Sequence, residues 1–154
     1  MRGMKLAEAL KMRSDLDLRL RQLEIRLNNN SKVQEGDEPS EDPKVLLAEL
    51  DTITEQLMDL IRRINITNSL TKDRNGATLA ELLARRDVMK RKGDMLRTFI
   101  DHASNRAERR VSTDIKIVST VDVKALRKQA DRISEDVRKT DNSIQELNWI
   151  TELI

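Results

Sequence analysis

The feature that most constrains this chain is the spacing of its leucines and isoleucines. Between residues 6 and 27, apolar side chains recur at alternating steps of three and four: Leu6, Ala9, Leu16, Leu20, Leu23 and Leu27, with Arg13 as one basic interruption. That recurrence places one stripe along one side of an α-helix and has no counterpart in the two-residue repeat of a strand. It predicts a first helix over about Lys5 to Asn28. The run Asn28-Asn29-Asn30-Ser31 ends it, because short amide side chains compete for backbone hydrogen bonds. The extra apolar residues Leu10, Met12, Leu18 and Ile25 widen the stripe beyond a two-stranded seam, which suits a bundle.

Three more stripes follow. Leu46, Leu50, Ile53, Leu57, Leu60 and Ile64 predict a second helix over about Pro43 to Thr71, turning polar at Thr67 and Thr71. Asp42 is placed to cap it, and Pro43 suits its first position. The turn Lys72-Asp73-Arg74-Asn75-Gly76 carries an Asn-Gly pair. Thr78 with Glu81 three residues later forms a capping box for a third helix over about Leu79 to Arg109. Its stripe is Leu79, Leu82, Met89, Leu96, Ile100, Ala103 and Ala107, interrupted by Arg86 and Gly93. A glycine inside a helix costs roughly 1 kcal/mol relative to alanine, so Gly93 points to a close helix crossing or to a tolerated weakness. Asp122 caps a fourth helix over about Val123 to Leu153, with the stripe Leu126, Ala130, Ile133, Val137, Thr140, Ile144 and Leu147.

The expected fold is therefore all-α: an antiparallel bundle of about four long coiled-coil-like helices in one elongated domain spanning 1–154. An acidic loop at 31–42 and an extended linker at 110–121 interrupt it. Within that linker, VSTDIKIVST (111–120) is β-branched and breaks the helical period, so it reads as a short extended segment. A lone strand is unstable in water, so pairing with a second copy would explain it.

Composition supports long helices with narrow seams. Charged residues make up 36% of the 154 and aromatic residues 1%, namely Phe99 and Trp149. A chain this poor in aromatics lacks the usual filling of a compact globule. Net charge is +2, which excludes a polycation, but the charges are unevenly placed. Residues 34–60 hold nine acids and one base, and residues 72–110 hold eleven bases and six acids. The ordinary reading is two solvated helix faces; the sharper one is steering of a partner. With no cysteine, disulfide and thiol chemistry are absent, which favours a cytoplasmic location. No run of eighteen apolar residues predicts a membrane span, and MRGMKLAEAL lacks the apolar core of a signal peptide.

The candidate sites are few. Ile115, Ile117, Trp149, Ile150 and Leu153 form a candidate interface, since a terminus as apolar as WITELI should dock on something and Trp149 offers the largest buried area. Arg85, Arg86, Lys90 and Arg91 form a candidate basic patch. Interleaved acids and the want of stacking aromatics make nucleic acid a poor partner for it. Arg13, Asn65 and Asn68 form a candidate polar core that would fix helix register. His102 stands alone beside Asp101, without the second histidine of a metal site. No nucleophile with a base, phosphate loop or paired acid and base stands out. The expectations are thus no enzyme activity, no cofactor or metal, no small-molecule substrate, and self-association into a homo-oligomer; a membrane partner is disfavoured, and nucleic-acid binding through the basic face of the third helix is the alternative.

Six stretches carry a resemblance: KLAEAL (5–10), KVQEGDEPSEDP (32–43), RINITN (63–68), TLAELLARRDV (78–88), STVDVKALRKQAD (119–131) and IQELNWITEL (144–153). The chain resembles a bacterial family of helical proteins of unknown function, some of whose members carry the label septicolysin. The resemblance spans nearly the whole chain. It implies, through the label, a pore-forming cytolysin, although every apolar stripe here is flanked by dense charge. It carries over no catalytic residue.

Overall fold

In the structure, a computed structural model that describes residues 3–108 and 116–154, the four stripes become four helices: α1 (Leu6–Asn29), α2 (Pro43–Leu70), α3 (Leu79–Glu108) and α4 (Val123–Ile150). At 1.5 Å per residue, helices of this length run about 36–45 Å. Among the described residues there is no strand, only the isolated bridges Lys5 to Glu152 and Lys72 to Thr78. Part of the expected extended segment, 111–115, lies outside the described residues, and 116–119 are neither helix nor strand.

The chain packs as two compact units. One holds the residues up to Thr71 together with Leu147–Ile154, and the other lies within Lys72–Glu146.

In the first unit, α1 and α2 form an antiparallel hairpin: Arg19 pairs with Glu49, while Arg26 further along α1 pairs with Glu41, before α2 begins. Its core is a seven-residue recurrence on each helix. Ala9, Leu16 and Leu23 are buried against Leu46, Ile53 and Leu60. The recurrence continues at both hairpin ends into polar residues, Asn30 after α1 and Thr67 in α2, both buried. Asn30 satisfies itself by donating to the Arg26 carbonyl at 2.8 Å and accepting from the Glu41 amide at 3.0 Å. It thus ties the end of the acidic loop to the end of α1. The Asp42 carboxylate accepts from the Lys44 amide at 2.9 Å, and Pro43 occupies the first turn of α2.

The helix α4 ends three residues before the expected Leu153. The chain instead leaves the helix so that Leu153 is buried and its amide donates to the Met4 carbonyl at 2.8 Å. The Leu6 amide donates to the Thr151 carbonyl at 2.9 Å, and the Ile154 amide donates to the Thr67 hydroxyl at 3.1 Å. These bonds satisfy amides that a helix start and a non-helical tail would otherwise leave unpaired.

In the second unit, the turn before α3 forms as its residues dictate. The Asp73 carboxylate accepts from the Asn75 and Ala77 amides at 2.9 Å, and Gly76 takes a left-handed φ of 86°. The capping box is complete: the Thr78 amide donates to Glu81 at 2.7 Å, and the Glu81 amide donates to the Thr78 hydroxyl at 3.1 Å. On α4, the Asp122 carboxylate accepts from the Ala125 amide at 3.0 Å. The helices α3 and α4 run antiparallel: Arg86 meets Asp141, Arg97 meets Ser134, and Ser104 meets Arg127. Gly93 is the crossing point. It is buried, and a Cβ there would stand 3.2 Å from Cγ2 of Ile133.

Candidate functional site

The two edges of the α1/α2 hairpin differ in chemistry. On one edge, Arg26 is held by Glu41 at 2.6 Å and by Glu49 at 3.2 Å, and Arg19 reaches Glu49 at 3.9 Å. Hydrogen bonds from Arg26 keep the Glu41 carboxyl below its ordinary range. That edge is polar and paired within the chain. The other edge is apolar and open. A groove of about 320 Å³ runs along it, lined by Leu20, Glu24, Leu27, Asn28, Leu50 and Thr54. Leu20, Leu27, Leu50 and Leu57 are only half-buried there. Stepping by seven from Thr54 reaches Leu47 and Ile61, which with Met58 remain 50%, 37% and 68% exposed. Each helix therefore buries one heptad position along the hairpin and leaves its neighbouring position half open at Leu20, Leu27, Leu50 and Leu57, although that row is buried at Leu6 and Ile64.

A larger groove lies in the second unit, between the C-terminal half of α3 and residues 117–120. It measures about 680 Å³ and is lined by Met95, Phe99, Ala103, Ile117 and Val118, with Asp94, Thr98, His102, Ser119 and Thr120 as its polar members. Its volume is that of a small-molecule site.

The residues singled out in the sequence scatter. Of the candidate interface, Ile115 lies outside the described residues, and Ile117 is in the wall of the larger groove. Trp149 and Ile150 are exposed, at 68% and 60%, so neither docks within its own chain. Leu153 does: it is buried against the start of the chain and serves the fold, not an interface. Of the basic patch, Arg85, Lys90 and Arg91 are exposed, but Arg86 is taken up inside its unit. It reaches from a stripe position of α3 to Asp141 of α4 at 2.9 Å and to Asp87 at 3.1 Å. Partial burial opposes its charge, yet those hydrogen bonds prevail and raise its pKa. The polar core is corrected as well. Asn65 is exposed and points away from the seam, while Asn68 and Arg13 are half-buried. The buried polar residues are Asn30, Thr67 and Asn148. The seven-residue step through Leu46, Ile53 and Leu60 leads to Thr67, and the step through Ala9, Leu16 and Leu23 leads to Asn30. That signal was present in the sequence. Among the described residues, no three acidic or histidine side chains group as a metal site, and no helix is long and apolar enough to cross a membrane.

The pattern of a family of unknown function, DUF6847, matches residues 13–153. The chain belongs to DUF6847. The match covers both hairpins, so the α1/α2 edge and the α3 groove belong to the DUF6847 pattern and not to an added segment. No curated protein matches the chain. A crystal structure of a functionally unknown conserved protein from Corynebacterium diphtheriae superposes with a TM-score of 0.90. It is 41% identical, with 99% of this chain and 100% of that one covered. Neither the family description nor this neighbour carries the cytolysin label that the resemblance implied.

Proposed function

We propose that this member of DUF6847 is a non-enzymatic, cytoplasmic interaction protein that works as a homo-oligomer. The observation that carries the reading is exposed apolar surface: Leu47, Met58, Phe99, Trp149 and Ile150 are 50%, 68%, 47%, 68% and 60% exposed. Burial of such side chains stabilises association at about 25 cal/mol per Å², before the costs of ordering are subtracted.

The test is absolute mass by light scattering after size exclusion, at low and high salt. The expected result is a defined species of at least twice 17.8 kDa that survives high salt, because apolar contacts are not screened. A monodisperse monomer at micromolar concentration in both salts overturns the reading.

A further inference from the structure

We propose that the open edge of the α1/α2 hairpin is an isologous interface, occupied by the same edge of a second copy of this chain. Two hairpins then close into a four-helix bundle. This deepens the self-association proposed above and rests on it.

Three observations select this edge and this occupant. The first is the incompleteness of the heptad. In a four-helix bundle both apolar positions of each heptad face the centre, whereas a hairpin alone covers one fully. Here the covered position is complete at Ala9, Leu16, Leu23, Leu46, Ile53 and Leu60. The neighbouring one, at Leu20, Leu27, Leu50 and Leu57, stops half-way. The opposite edge asks for nothing, since Arg19 and Arg26 already meet Glu49 and Glu41.

The second is charge. A surface that meets its own copy must not carry one dominant sign, because like charges would then face each other. The groove contains Glu24, and stepping by seven from its members brings Asp17, Arg13 and Arg21 beside it on α1. Along α2, Asp51 shares the heptad position of Met58. Lys44 shares that position too, so three bases stand against three acids, a balance that suits a self-complementary contact. A strongly acidic or basic partner would find little to pair with.

The third is area. On this edge Leu47, Met58 and Ile61 are 50%, 68% and 37% exposed, apolar surface that a second copy would cover beside the half-buried Leu20, Leu27, Leu50 and Leu57. A two-fold contact also uses the edge up: each copy covers the other, and nothing is left to propagate a filament.

The chain has no cysteine, so single cysteines report contacts cleanly. Thr54 lies in the groove near the middle of α2, where a two-fold axis would bring two copies together. Thr52 is also exposed but falls on the polar side of the helix. Thr54→Cys treated with a short bis-maleimide should give a covalent dimer, and Thr52→Cys should give at least tenfold less. In parallel, Met58→Glu should shift the wild-type mass to that of the monomer with unchanged helical circular dichroism. Met58 is largely exposed in the single chain, so the hairpin does not depend on it. If the wild type associates but Met58→Glu keeps its mass, or Thr52→Cys cross-links as well as Thr54→Cys, the edge assignment is overturned while self-association stands. If the wild type is a monomer, both fall. A monomer that instead captures a small apolar dye at this groove, lost in Met58→Glu, would assign the edge to a ligand and also overturn the proposal.

Discussion

Replacing Gly93 by alanine sets two known effects against each other at one place. In an isolated helix the change stabilises by about 1 kcal/mol, because glycine sacrifices more backbone freedom on folding than alanine. In this structure the new Cβ would stand 3.2 Å from Cγ2 of Ile133 and 3.9 Å from an Arg97 guanidinium nitrogen. Carbon atoms prefer about 3.5–4.0 Å, so the first contact is short by a few tenths of an ångström. The arginine can move aside. Ile133 cannot easily do so, since it is buried and its branched Cβ holds χ1 in one rotamer in a helix. Separating α3 from α4 at their crossing costs about 1–3 kcal/mol. Gly93→Ala should therefore be neutral to about 2 kcal/mol destabilising, combining the propensity gain with the packing loss. A double-mutant cycle isolates the reason. Ile133→Ala alone should cost about 2–5 kcal/mol, and in that background Gly93→Ala should turn stabilising by up to about 1 kcal/mol. Urea melts followed by circular dichroism, at one fixed protein concentration for all four proteins, give the numbers. A Gly93→Ala protein that is about 1 kcal/mol more stable than wild type, with no coupling to position 133, refutes the reasoning.

Other substitutions probe other elements. Ile53→Ala removes a side chain that is 1% exposed between α1 and α2, and should lower unfolding stability by about 2–5 kcal/mol in the same melts. Thr78→Ala removes the hydroxyl that accepts from the Glu81 amide, while the backbone amide at position 78 can still donate to the Glu81 carboxylate, and should cost about 0.5–2 kcal/mol, read by thermal denaturation. Glu41 has a folded pKa depressed chiefly by hydrogen bonds from Arg26, so its stabilisation is present above the ordinary carboxylate value and is lost as pH falls below about 4.3. Melting temperatures measured from pH 6 to pH 2 should fall less steeply in Glu41→Gln than in wild type; identical slopes would show that the pair contributes nothing. Thr67→Val keeps the volume but removes the acceptor for the Ile154 amide, and amide hydrogen exchange at residues 151–154 should accelerate while α2 stays protected.

Periodicity made the helices legible, because the stripes and the cores are the same residues: Leu46, Ile53 and Leu60 are spaced in the sequence as they are buried in the hairpin. The caps at Asp42, Thr78 and Asp122 were legible for a related reason, since each acts within a few residues of itself. What depends on a distant partner was not. Arg86 reads as a flaw in a stripe until Asp141, 55 positions away, is seen to receive it. Gly93 reads as a weak point until Ile133 is found filling the space its side chain leaves. Asn65 is the type of residue that fixes register in a coiled coil, but the seven-residue step through Leu46, Ile53 and Leu60 leads to Thr67, and it is Thr67 that is buried. The end of α4 was misplaced because the bonds that draw residues 151–154 out of the helix come from Met4, Leu6 and Thr67. The open edge was half legible: its apolar residues were visible as extra width on the stripes, but which of them stayed uncovered depended on how α1 and α2 meet.

The tail clamp also sets an order of events. The first unit is discontinuous in the chain, since residues 147–154 complete it only after the whole of Lys72–Glu146 has intervened. During synthesis α1 and α2 emerge first, yet Met4, Leu6 and Thr67 must wait for Thr151, Leu153 and Ile154 to reach them. The α1/α2 core meets no such delay, because Ala9 to Leu60 all lie in the first part of the chain, so the Leu6 amide should gain protection after the amides in the middle of α1.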